Sequence, residues 1–224
     1  MANFNTHLGV ATVGGVVTAG LGFQAGLWPW TNAFTVAGLV ALGGILPDID
    51  SDNSHAIRLM FTVLAILGVV ISIGMYQSRL PMPWLLGLGA GTFLAIRYLG
   101  SAIFKRFSVH RGIWHSLLAA AVSGAAVSGL SYQLFQQPPT QAWCHGVALF
   151  VGACIHLLLD ECYSIDLAGT RIKRSFGTAF KLFDYGSPAT AVLMLLAFAS
   201  LTPWLPPTEA LLALVQHTWS LFVT

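Results

Sequence analysis

Long apolar segments follow one another along this chain and constrain its fold more than any other feature. They cover residues 8–28, 33–46, 57–76, 82–103, 116–135, 141–159 and 188–223. Only 8% of the 224 residues are charged, whereas about 25% are charged in soluble domains. So few charges cannot cover the surface of a soluble protein with this much apolar sequence, and we therefore expect an integral membrane protein.

The fold class and the domain organisation follow from these segments. We predict an all-α fold, a polytopic transmembrane helical bundle of about seven or eight helices in a single integral membrane domain, residues 1–224. The sequence PWLPP at 203–207 divides the last segment into two helices. Segment 33–46 is short for a hydrocarbon core of ~30 Å, so whether it and 188–223 span fully is left open. The pattern Gly87-x-x-x-Gly91 and the small residues at 123–129 suit close helix packing.

The orientation of the helices is predicted from lysine and arginine. With a cytoplasmic N-terminus, the inside loops or their helix ends contain Arg58, Lys105, Arg106, Arg111, Arg171, Lys173, Arg174 and Lys181. The opposite side contains only Arg79, and Arg97 lies within a helix. This bias favours the cytoplasmic N-terminus.

Several classes of feature are excluded. The N-terminal MANFNTH has no basic region, so the first segment is expected to be a retained helix. Three cysteines without a CxxC pattern do not form a disulfide framework. The net charge of +2 does not suggest a nucleic-acid partner, so the expected partner is the lipid bilayer. The sequence does not indicate the oligomeric state.

The segment IHLLLDE contains an ionisable pair inside an apolar run. His156 and Asp160 are four residues apart and share one face of a helix. Inserting an aspartate into a membrane helix costs about 2.5–3.5 kcal/mol, so such a pair indicates a function by default. The spacing suits two ligands of one metal ion. A His–Asp hydrogen bond that only joins two helices is the alternative.

The stretch LPDIDSDNSH, residues 46–55, concentrates carboxylates at the end of an apolar segment. Asp48, Asp50 and Asp52 alternate, so two or three of them can face one cation. A solvated turn in which Asp50 or Asp52 caps the next helix is the alternative. His55 is a reserve ligand.

Further histidines surround the next helix boundary. SVHRGIWHSL contains His110 and His115, and Ser108 or Ser116 can cap the helix that follows. Two interfacial histidines in a basic loop are the alternative. His7 lies just before the first apolar segment. His145 is eleven residues from His156, about 16 Å along a helix, so these two cannot share an ion.

The predicted orientation brings these groups to the same membrane face, and we combine them into one metal site. Its candidate ligands are His7, Asp48, Asp50, His110, His115, His156 and Asp160. Imidazole and carboxylate without thiolate suit Zn²⁺ first and Mn²⁺ or Fe²⁺ as alternatives, with one or two ions. Such a site activates water for hydrolysis. Arg111 is predicted to hold a substrate phosphate, and Glu161 or Asp52 to act as general base.

These motifs resemble, in order and spacing, those of the bacterial LexA-regulated (YdjM-like) inner-membrane metal-dependent hydrolases. The resemblance covers about residues 5–165 and rests on the early histidine, LPDID, HRGIWHSL and HLLLDE. It implies metal-dependent hydrolysis in a multi-pass inner-membrane protein, with similarity to zinc-dependent phospholipase C. The positions that match the family motifs are His7, Asp48, Asp50, His110, Arg111, His115, His156 and Asp160.

After Asp160 the chain departs from the family pattern. Residues 160–187 are predicted to form a cytoplasmic, basic amphipathic loop, in which Phe176, Phe180 and Phe183 recur at helical spacing. Such a helix would lie among anionic headgroups and favour a lipid-like phosphoester substrate. A basic stretch that only determines the topology is the alternative.

Two other functions could use the same ligands. One is a metal-ion transporter, and the other is a non-catalytic membrane protein with a structural metal site. Transport sites usually lie near the bilayer midplane on broken helices within repeats. Clustering at one face, with no visible repeat, favours the hydrolase. An open coordination position would distinguish it from the structural site.

Overall fold

Helices account for most of the structure. The computed structural model describes residues 3–50, 55–107, 113–166, 171–172 and 180–223. The α-helices in these ranges are α1 (Phe4–Gln24), α2 (Trp30–Gly43), α3 (His55–Tyr76), α4 (Met82–Leu94), α5 (Ser101–Phe107), α6 (Leu117–Gln133), α7 (Pro139–Tyr163), α8 (Pro188–Leu201) and α9 (Thr208–Val223). The all-α prediction is confirmed, since the strands in these ranges are two residues each, Ile165–Asp166 paired antiparallel with Arg171–Ile172.

Four helices among the described residues are long and apolar enough to cross a membrane: Phe4–Gln24, His55–Tyr76, Met82–Arg106 and Pro139–Tyr163. The third is continuous because a π-helix, Ala95–Gly100, joins α4 to α5. Counted in this way, the described helices number eight, in agreement with the prediction. The short apolar helices are α2 and α6.

The break predicted at PWLPP is confirmed. α8 ends in a 3-10 turn at Thr202–Trp204, and α9 begins at Thr208 after the two prolines. The two helices are bent by 99° relative to each other, so they are a broken span or a re-entrant loop. The cytoplasmic position of the N-terminus stays a prediction.

The chain divides into two compact units. The first contains residues 1–47 and 112–224, and the second contains residues 48–111. In the first unit α7 is the central helix, which contacts α1, α2, α6 and α9. The second unit is built from α3 and the continuous Met82–Arg106 span, which pack against each other. The prediction of one membrane domain concerns the assembly of these units and stays a prediction.

Small residues bring the helices of the first unit close together. A Cβ on Gly152 of α7 would meet the carbonyl oxygen of Val40 on α2, and a Cβ on Gly124 of α6 would lie 2.8 Å from the carbonyl oxygen of Gly146. Helices in lipid associate through such close packing, because lipid tails leave little hydrophobic driving force. The sequence predicts close packing by the small residues at 123–129, and at Gly124 α6 does pack closely against α7. Gly87 and Gly91 have no atom within 4 Å of an added Cβ in the described structure.

The segment that follows α7 differs from its prediction. α7 continues to Tyr163, and the described residues 180–187 form turns and bends instead of a helix. The backbone N–H groups of Leu117 and Leu118 donate to the carbonyl oxygens of Lys181 and Leu182. These donors belong to the first turn of α6, which has no intrahelical acceptors for them. The expected amphipathic helix is therefore wrong at Phe180 and Phe183, and Phe176 lies outside the described residues.

Replacing Gly152 with alanine should destabilise the first unit. The added methyl group overlaps the Val40 carbonyl on α2, so we expect a loss of about 1–3 kcal/mol in the free energy of unfolding. Gly38→Ala on the exposed side of α2 is the matched control, because nothing lies within 4 Å of its Cβ. Unfolding in mixed detergent and SDS measures both variants, and equal stability of the two would contradict the close packing.

Candidate metal centre

The site is built around the C-terminal end of α7. His156 and Asp160 lie one turn apart on the face of α7 that is buried in the first unit, with exposures of 1% and 4%. The prediction that they share one helix face is confirmed. The His156 Nε2 atom is 3.6 Å from Oδ2 of Asp160. That distance is longer than a hydrogen bond.

A backbone carbonyl determines which nitrogen of His156 faces the carboxylate. The Nδ1 atom of His156 is 2.7 Å from the carbonyl oxygen of Gly44, which ends α2. A carbonyl oxygen can only accept, so Nδ1 carries the hydrogen and donates it. The Nε2 atom is thereby directed toward Asp160, an arrangement that is usual for metal-binding histidines. The sequence gives no signal for this contact, because any residue has a carbonyl.

His7 approaches the same carboxylate from α1. Asn3 caps this helix, since its Oδ1 accepts from the backbone N–H of Thr6 at 2.9 Å, and His7 therefore lies in the first turns. Its Nε2 atom is 3.2 Å from Oδ1 of Asp160. Its ring stacks on His156 with centroids 3.7 Å apart and planes 12° apart. Its Nδ1 atom is buried and has no hydrogen-bond partner among the described residues.

His115 completes the group from the start of α6. Ser116 caps α6 as predicted, because its Oγ accepts from the N–H of Ala119 at 3.2 Å. Ser116 Oγ also donates to the carbonyl oxygen of Ile113 at 2.8 Å, which holds the preceding turn. His115 Nε2 lies 3.9 Å from Oδ2 of Asp160, and its side chain is 16% exposed. Of the three histidines it is the one that reaches the surface of the unit.

The donor set fits a divalent cation. His7, His156 and Asp160 each offer one ligand atom within 4.8 Å of the others, and all three residues are buried. Two donors bound to one tetrahedral zinc ion at about 2.0–2.2 Å lie roughly 3.3–3.6 Å apart. The observed nitrogen–oxygen distances of 3.2 and 3.6 Å are close to this separation. The predicted convergence of groups from distant parts of the sequence is therefore found for His7, His115, His156 and Asp160.

The other predicted residues have different outcomes. Asp48 is the first residue of the second unit and is half-buried in the 3-10 turn Pro47–Asp50, and His55 is exposed at the start of α3. Glu161 follows Asp160 on α7 and is half-buried. Asp52, His110 and Arg111, with the side chain of Asp50, lie outside the described residues, and their roles stay predictions.

The comparisons with known proteins identify the family of the chain. The family model for the YdjM inner membrane protein matches residues 1–219. The chain belongs to this family. It is thus a multi-pass inner membrane protein, as its candidate spans also indicate. No curated protein and no solved structure matches the chain.

His145 belongs to a separate polar contact of this YdjM-family protein. Its Nδ1 atom is 2.6 Å from Oγ of Ser131, and both residues are buried between α6 and α7. The two residues join helices, in line with the prediction that His145 cannot share an ion with His156.

Removing the partner of His145 should therefore affect stability. Ser131→Ala leaves a buried imidazole nitrogen without its hydrogen bond, and we expect a loss of about 1–3 kcal/mol. Ser200→Ala is the control, because the Ser200 hydroxyl is exposed and donates only within α8. Thermal unfolding in detergent measures both, and an unchanged midpoint for Ser131→Ala would contradict a joining role.

Proposed function

We propose that this protein is a membrane-embedded, metal-dependent hydrolase. In this proposal His7, His156 and Asp160 hold a divalent cation, Zn²⁺ first and Mn²⁺ or Fe²⁺ as alternatives. The single observation that carries the proposal is the approach of imidazole nitrogens from α1, from α7 and from the turn before α6 to one buried carboxylate. Family membership gives the membrane location, and the hydrolytic activity is our inference from the donor set.

Each described residue has a definite task in this proposal. Asp160 supplies the negative charge, and the Gly44 carbonyl holds the Nε2 atom of His156 toward it. His115 is partly exposed and is the candidate for a further ligand between the buried donors and the surface. When bound, the cation would lower the pKa of a water molecule and offset charge that develops on a phosphate oxygen.

Residues beyond these are proposed from the sequence. Asp48, Asp50 and His110 are candidates for further ligands, including those of a second ion. Arg111 is the candidate for holding a phosphate, and Asp52 or Glu161 is the candidate general base.

An apolar groove supports a lipid-like substrate. A cavity of about 580 Å³ is lined by the start of α6, the middle of α7, residues 182–183 and the start of α8. All ten lining residues are apolar, among them Leu118, Ala121 and Val192. The groove begins at Leu117, two residues after His115, so an acyl chain in it would have its polar end close to the site. In a bilayer the groove would position the chain by packing, because lipid tails are themselves apolar.

The position of the ligands also bears on the alternative functions. His7, His115 and Asp160 lie at or near helix ends, where a hydrolase can meet a headgroup and water. A transport site would be expected near the middle of the spans on broken helices. A purely structural metal would be closed by protein ligands, whereas the partial exposure of His115 favours an open position.

Metal analysis tests the proposed ligands. Purified wild-type protein is expected to contain at least one ion per chain, and His156→Ala and Asp160→Asn are expected to lose it to background. His217→Gln is the control, because His217 lies on α9 with Nε2 3.1 Å from the carbonyl oxygen of Ala25. Size-exclusion profiles show whether each variant stays folded. Wild-type metal content in both site variants would contradict a metal site shared by His156 and Asp160.

Filling the groove should separate long from short substrates. In Ala121→Trp the indole occupies the groove, so we expect a higher KM for long-chain phospholipids and little change for soluble short-chain phosphoesters. Leu193→Trp is the control, because Leu193 lies on α8 and is exposed. Phosphate or head-group release by metal-loaded protein is the assay. An equal effect of Ala121→Trp on both substrate classes would contradict binding of the acyl chain in the groove.

A further inference from the structure

The second unit contains an arginine inside a membrane-spanning segment. Arg97 lies fifteen residues after Met82 and nine before Arg106 in the continuous span Met82–Arg106. A rise of 1.5 Å per residue puts its Cα about 14 Å from the end of that span. An arginine at such a position costs about 2.5–3.5 kcal/mol on insertion scales, so it indicates a function by default.

The backbone around Arg97 is irregular in a way that helices rarely show. Residues Ala95–Gly100 form a π-helix, and Arg97 is its third residue. Short π-helical insertions inside α-helices are rare and frequently mark functional sites. On the facing helix, Gly68 leaves room for the side chain of Ile96. A Cβ added to Gly68 would overlap the Cδ1 atom of Ile96.

One edge of the guanidinium is held by α3. Nε of Arg97 donates to Oγ1 of Thr62 at 2.9 Å, and Oγ1 of Thr62 donates to the carbonyl oxygen of Arg58 at 2.6 Å. The Tyr98 ring lies 5.3 Å from Cζ. The terminal nitrogens have no hydrogen bond or ion pair to the described residues of this unit. They are the donors that bind carboxylate or phosphate through two bonds.

The second unit contains six basic residues and only three acidic ones, Asp48, Asp50 and Asp52. Residues 53–111 contain no aspartate or glutamate, and they contain Arg58, Arg79, Arg97, Lys105, Arg106 and Arg111. Thr62 lies one helical turn after Arg58, which is exposed. Thr62 therefore links the half-buried Arg97 to the helical turn that begins at the exposed Arg58. The unit has a net charge of +3, and an anion would offset this excess of cations.

We propose that Arg97 and Arg58 bind the phosphate of an anionic phospholipid headgroup, with Thr62 positioning Arg97. Membrane lipids surround this site because it lies on membrane-spanning helices, and a basic patch at a membrane attracts anionic lipids. Arg97 would reach toward the interface, as long basic side chains near helix ends do. This site is independent of the proposed hydrolytic function.

Native mass spectrometry of the intact protein in detergent tests this site. The probes are phosphatidylglycerol, phosphatidylcholine and inorganic phosphate. Wild type is expected to prefer phosphatidylglycerol, and Arg97→Gln to weaken its binding roughly five- to tenfold. Arg97→Lys keeps the charge but loses the planar guanidinium that forms two parallel hydrogen bonds, so its effect should be intermediate. Thr62→Val should weaken binding while leaving both arginines in place.

Arg79→Gln is the matched control, because it removes one charge at the other end of the same two helices. Equal loss in Arg79→Gln and Arg97→Gln would show a general charge effect and overturn the site. Unchanged lipid affinity together with a lower unfolding temperature of lipid-free Arg97→Gln would show that Arg97 pairs within the protein, which would also overturn it. Binding of inorganic phosphate as tightly as the lipid would exclude the lipid as the preferred ligand.

Discussion

A carboxylate buried among apolar helices needs positive charge or hydrogen-bond donors, and the first unit is arranged to supply them to Asp160. Three histidines from α1, α7 and the start of α6 direct nitrogen atoms to its two oxygens. A single hydrogen bond, such as that possible from His7, would leave the approach of His115 and His156 unexplained at 3.9 and 3.6 Å. In our proposal, a divalent cation accounts for the separations of 3.2 and 3.6 Å, and His115 lies slightly farther from the carboxylate at 3.9 Å.

The packing of the unit serves this arrangement. Glycines let α2 and α7 approach until backbone atoms touch, and the same approach brings the Gly44 carbonyl to His156. The ring of His156 then contacts the Gly44 carbonyl, the stacked ring of His7 and the carboxylate of Asp160. Small residues therefore determine the geometry of the polar site although they contribute no polar side chain.

Sequence reasoning succeeds where a periodicity or a spacing carries the information. The apolar segments predict the helices closely, and the i, i+4 spacing of His156 and Asp160 predicts their shared face. It fails where contacts of backbone carbonyl groups determine the local structure. The Gly44 carbonyl has no sequence signature, and Lys181 and Leu182 use their carbonyls to accept from the first turn of α6 instead of forming the expected amphipathic helix. Phe183 consequently lines the apolar groove.

The central claim is that imidazole and carboxylate groups of this unit bind a divalent cation. X-ray absorption spectroscopy of the metal-loaded protein tests it most directly. The account predicts nitrogen and oxygen neighbours at about 2.0–2.2 Å from zinc, with outer-shell scattering from at least two imidazole rings, and loss of that signal in Asp160→Asn. A spectrum with sulfur neighbours at about 2.3 Å, or one without imidazole scattering, would contradict the account.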